Sequence, residues 1–101
     1  MKKVLILCLL LLAPVFADEV FVGKFVEIQV GDYAHLNVLD GKGEERSFWV
    51  SGDSSFEPFL EQPEKYRGKK VKVHWHKVKR NIPEAGGEME IEEATSIELA
   101  K

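Results

Sequence analysis

The stretch KKVKVHWHKVKR, Lys69 to Arg80, gathers six lysines and arginines, two histidines and a tryptophan into twelve residues. Two imidazoles at i and i+2 of an extended strand point to the same side, and imidazole suits zinc or copper, so His74 and His76 are half of a candidate metal site. Two ligands do not make a site, and either His35 or Glu92 would have to converge on them. The lysines and arginines could follow phosphates, but a groove for single-stranded nucleic acid needs interleaved aromatic residues and an uncompensated positive surplus. A third group, Tyr33, His35 and Trp49, offers aromatic faces on which a base, a sugar ring or a partner's side chain could stack.

Covalent catalysis has little to work with. There is no Gly-x-Ser-x-Gly elbow and no phosphate loop, and the serines cluster where helix capping explains them. Glu92 and Glu93 are adjacent on a strand and so face opposite sides. The expectation is a protein that binds and is not an enzyme, with no cofactor implied.

Residues 1–17 stand apart from the fold. Lys2 and Lys3 precede the apolar run VLILCLLLL, and Val15 and Ala17 are the small residues a signal peptidase reads, so cleavage after Ala17 is expected. Leu7 is too large for a lipobox before Cys8, which argues against lipidation. The remaining chain, Asp18 to Lys101, has no cysteine and must fold without disulfides in the periplasm or outside the cell. Without the leader it carries twelve basic residues against seventeen acidic ones. A single domain of about 84 residues buries roughly 60 to 65% of its unfolded surface, which leaves little room for a large internal cavity.

What positions the candidate residues is a run of strands. From Glu19 to Val30, Val20, Val22, Val26, Ile28 and Val30 share one parity, the period of a half-buried strand. After the Gly31-Asp32 turn, Ala34, Leu36 and Val38 alternate with Tyr33, His35 and Asn37. With Asp40 to Glu44 as a hairpin loop, Leu36 pairs with Phe48, Ala34 with Val50, and His35 falls opposite Trp49, with Asn37 and Ser47 beside them on the outer face. Next, Ser54 or Ser55 can cap a helix of two to three turns with Phe56, Phe59 and Leu60 on its buried stripe, broken near Gln62 by Pro63 and stopped at Gly68.

The fourth strand turns Val71, Val73 and Trp75 inward and Lys70, Lys72, His74 and His76 outward, with a bulge near His76-Lys77 to return Val78 to the core. The last strand carries Met89, Ile91, Thr95, Ile97 and Leu99 on one parity. Three strands, a helix and two strands is the connectivity of an OB-fold, a mainly β, five-stranded Greek-key barrel with a short helix between strands three and four. The passage FLEQPEKYRGKKVKVHW resembles small exported bacterial OB-fold proteins, in which a PExYxGKxVxV run leads from the helix into the fourth strand. The resemblance implies a fold and a binding habit and assigns no catalytic residue.

Such barrels usually bind on the outer face of strands two and three, where Tyr33, His35 and Trp49 would meet. The sequence therefore predicts an exported OB-fold module for a protein, glycan or small-molecule ligand, with metal binding through His74 and His76 as the alternative. Nucleic acid ranks behind both. Lys65 to Arg80 holds eight basic residues and no acidic one, Asn81 to Leu99 six glutamates and no lysine or arginine. With Val78 opposite Ile91, Lys79 would meet Glu90, Lys77 or His76 would meet Glu92, and Lys70 would meet Glu98, neutralising the strip.

Overall fold

The computed structural model describes residues 18–101, and the leader expected over 1–17, with Cys8, lies outside them. Five strands, β1 (Glu19–Gln29), β2 (His35–Leu39), β3 (Glu45–Val50), β4 (Lys70–Ile82) and β5 (Gly87–Leu99), close into a barrel in the order β1-β2-β3-β5-β4. All neighbours are antiparallel except β3 and β5. Between β3 and β4 run a 3-10 turn and two short helices, α1 (Glu57–Glu61) and α2 (Pro63–Tyr66). This is the OB-fold connectivity that the sequence predicts.

The β2–β3 hairpin has the predicted register, with Leu36 on Phe48 and His35 on Trp49. Its turn is held by Asp40, whose side chain accepts the N–H groups of Lys42 and Glu44. Phe25, Leu36, Val38, Phe48, Val71 and Val73 fill the barrel, and Phe56 and Phe59 close over it from the helical segment. The helix breaks at Gln62, as Pro63 requires, and ends at Gly68, whose φ of 85° only glycine adopts cheaply. Two details differ from expectation. The cap is Asp53, which accepts the N–H of Ser55, and Leu60 stays exposed while Phe59 alone carries the buried stripe of α1. Hydrogen bonds from Ser55, its side chain first and then its N–H, hold the Asp53 carboxyl below the usual range.

The first strand presents the opposite face to the one its valines suggest. Phe21 and Phe25 turn inward while Val20 and Val22 are 53% and 42% exposed. A bulge between Phe25 and Glu27 then reverses the parity, so Ile28 packs on the core. Aromatic rings bury more area than valines, and Gly23 makes the change possible: a Cβ there would run into the Leu39 carbonyl oxygen.

The bulge between β4 and β5 lies on the other strand from the one that the sequence suggests. His74 pairs with Ser96 and Trp75 with Ala94, so the extra residue is Thr95 on β5, not His76-Lys77 on β4. Thr95 donates its hydroxyl to the His74 carbonyl, which supplies a partner where the ladder is interrupted. Trp75 is still buried, but Val78 does not return to the core, and Ala94 and Ile97 are the inward residues of β5 while Met89 and Leu99 are exposed.

Arg46 enters the barrel beside this core. Its guanidinium lies 5.1, 4.7 and 4.6 Å from the ring centres of Phe21, Phe48 and Trp75, and it donates to Glu92 at 3.2 Å. The rings offer their negative faces to a weakly hydrated cation, so a charged residue completes an otherwise apolar end.

Candidate functional site

Strand pairing carries the candidate residues onto one row of the outer wall. His35 on β2 faces Trp49 on β3, Trp49 faces Glu93 on β5, and Glu93 faces His76 on β4. Tyr33, in the loop after β1, leans on the same indole: both the Tyr33 and the His35 ring centres lie 4.9 Å from that of Trp49, tilted at 50° and 57°. The three residues predicted for the site are thus brought together, half-buried, on the face the fold commonly uses.

The far wall comes from the β4–β5 hairpin. The Tyr33 hydroxyl donates to Glu84 at 2.9 Å, joining the loop after β1 to the tip of that hairpin. Hydrogen bonding to the carboxylate is the main reason the Tyr33 phenol is held above its ordinary value. Ile82 and Ile91, buried but outside the main core, line the same hollow with Trp49, Val50, Arg80 and Glu93. At about 200 Å³ the hollow is smaller than a pocket that encloses a drug-sized ligand, and forms a shallow shelf beside the Trp49 indole.

Charge at the shelf is tied internally. Glu93, its side chain 12% exposed, accepts from Arg80 at 2.8 Å and meets His76 Nε2 at 3.1 Å. Arg80, Glu84, Glu93, Ile82 and Ile91 were not identified from the sequence. The topology implies that β3 and β5 pair, but the register that sets Glu93 on Trp49 is long-range and leaves no local signal. The others depend on how far the hairpin curls.

The histidines do not converge. His74 meets Glu98 at 3.3 Å, His76 meets Glu93 and, at 3.6 Å, Asp18, while along the row through Trp49 and Glu93 both β3 and β5 lie between His76 and His35. Among the described residues no group of three or more histidines, cysteines or carboxylates could hold a metal ion. Neutralisation of the basic strip is also less complete than predicted. Lys79 faces Glu90 and Lys77 faces Glu92, but Lys72 rather than Lys70 faces Glu98, and the ion pairs among the described residues are made by arginines and histidines, none by a lysine.

No family model and no curated protein matches this chain. Among solved structures it is similar to the crystal structure of Rim1, a mitochondrial single-stranded DNA-binding protein from S. cerevisiae, with a TM-score of 0.51 and 16% identity over 85% of this chain and 95% of that one. The sequence argument against nucleic acid is corrected by this finding, and also by the lysines left without ion-pair partners. At this identity the likeness establishes the fold, and the chain is a five-stranded OB-fold barrel.

Proposed function

We propose that this chain is a non-catalytic OB-fold binding module that takes the flat rings of a single-stranded nucleic acid onto the Trp49 shelf. The observation that carries the reading is the Tyr33–Trp49–His35 cluster on the outer face of β2 and β3, flanked by the β4–β5 hairpin. Stacking on such a platform tolerates any base, since every base has a π face. The likeness to Rim1 supports the same reading, and the leader proposed for residues 1–17 would have the module work outside the cytoplasm, as in the exported proteins the sequence resembles.

The charges set the character of the binding. Asp32, Glu84 and Glu93 stand at or beside the shelf, and Arg80, the one lysine or arginine lining it among the described residues, is engaged by Glu93. Affinity therefore comes from stacking more than from phosphate contacts. Its dependence on salt is accordingly shallow, near the slope for about one neutralised phosphate.

The test is a titration of the chain from Asp18 with an oligothymidylate, followed by the Trp49 indole N–H resonance. Base stacking contributes about 1 to 3 kcal/mol, so Trp49→Ala should weaken binding by about 5- to 150-fold. An indole resonance that does not move, or an affinity that Trp49→Ala leaves unchanged, overturns the proposal.

A further inference from the structure

A second surface lies on β1 and β4, around the barrel from Trp49. Strand pairing sets Val20 beside His74, Val22 beside Lys72, and Lys24 beside Lys70, all on the outward face. Val20, Val22 and, at the end of β5, Leu99 are 53%, 42% and 49% exposed. Two shallow hollows of about 380 and 350 Å³ meet there and share Val22 and Lys70. The first is also lined by Lys24 and Leu39, the second by Lys72, Leu99 and Lys101.

The charge is as unusual as the valines. In a chain of net charge −3, Lys24, Lys70, Lys72 and Lys101 make no ion pair within 4.0 Å among the described residues, and Glu98, which faces Lys72, is taken by His74. The two carboxylates that line the hollows, Asp40 and Glu98, are already engaged by the turn N–H groups of Lys42 and Glu44 and by His74, so whatever covers the wall must accept both aliphatic side chains and an excess of ammonium groups.

We propose that this wall docks on an anionic lipid surface. The valines and Leu99 meet the acyl boundary, while the lysine stems lie along them and carry the ammonium groups to the headgroups. Among the described residues no tryptophan, tyrosine or phenylalanine faces outward on this patch, and its one imidazole, His74, is held by Glu98, which favours lipid over nucleic acid here. This proposal stands independently of the Trp49 shelf.

The test is co-sedimentation of the chain from Asp18, which lacks the apolar leader, with vesicles of phosphatidylcholine alone or mixed with phosphatidylglycerol. Binding should require the anionic lipid and fall with salt. Each lysine near such a surface contributes about five-fold, so joint Lys24→Gln, Lys70→Gln and Lys72→Gln should weaken binding on the order of a hundred-fold, while the three Lys→Arg changes retain it. Urea titration of each variant confirms the fold. Equal binding to neutral vesicles, binding that survives the glutamine changes, or binding lost in Trp49→Ala with the lysines intact overturns the proposal. So does an oligonucleotide that protects these lysines from amine labelling when anionic vesicles do not.

Discussion

Replacing Arg46 by alanine tests whether a cation is part of the barrel's core. The guanidinium stands within about 5 Å of three ring centres and its side chain is 35% exposed, so the setting is partly desolvated. One planar group cannot sit ideally over three rings, and the stacking is worth about 2 kcal/mol in all. The Glu92 pair adds less than about 0.5 kcal/mol, since both side chains are more than a third exposed and water screens them. Loss of the aliphatic stem from between the rings adds about 1 kcal/mol. Arg46→Ala should therefore cost about 3 kcal/mol, which for a domain of this size lowers the melting temperature by about 12 to 24 °C. Arg46→Lys keeps the charge but not the flat stacking face, and should cost about half as much. Glu92→Gln should cost under about 1 kcal/mol. Urea titration read by tryptophan fluorescence measures all three. An Arg46→Ala cost no larger than that of Glu92→Gln would refute the account, because the rings would then contribute nothing to holding the guanidinium.

Gly23→Ala drives a methyl group into the Leu39 carbonyl oxygen and sets it 2.7 Å from the Phe21 ring, so β1 and β2 must part; a loss of about 1 to 3 kcal/mol in urea titration is expected, and a change under about 0.5 would show the approach to be soft. Tyr33 is held above its ordinary value chiefly by its bond to Glu84, so Glu84→Gln should lower the pH at which Tyr33 ionises, followed by ultraviolet difference titration against Tyr33→Phe. Because that phenol is raised in the folded chain, the tie between loop and hairpin is complete below the unfolded value of 10.0 and is lost as pH climbs through the folded one.

Local pattern made the hairpin of β2 and β3 legible in the sequence. Alternation fixed which residues share a face, a glycine-rich loop fixed the register, and these two together were enough to bring Tyr33, His35 and Trp49 side by side. The same holds for Val71, Val73 and Trp75, and for the break at Pro63. The positions of bulges were not legible, since a parity break shows that a residue is extra but not which strand carries it. Val20 and Val22 look like core residues until Gly23 lets Phe21 and Phe25 take the inside, and Thr95 rather than His76-Lys77 absorbs the mismatch of β4 and β5. Arg46 was invisible for another reason. A charged residue at an inward parity reads as a fault in the pattern until three rings are found around it. Arg80 and Glu93 joined the site through long-range pairing, which no local window contains.

The joint between β3 and β5 rests on two paired positions, Trp49 with Glu93 and Val50 with Ala94, where β4 and β5 share twelve. It is the shortest seam in the cylinder, reinforced just beyond by Ser51 donating to the Ala94 carbonyl. The Trp49 indole sits on that seam, so a ligand laid over Trp49 and Glu93, as proposed, would bridge it like a clasp. A ligand that needs both strands in place would favour the closed cylinder by mass action, so its binding would also appear as added stability of the barrel.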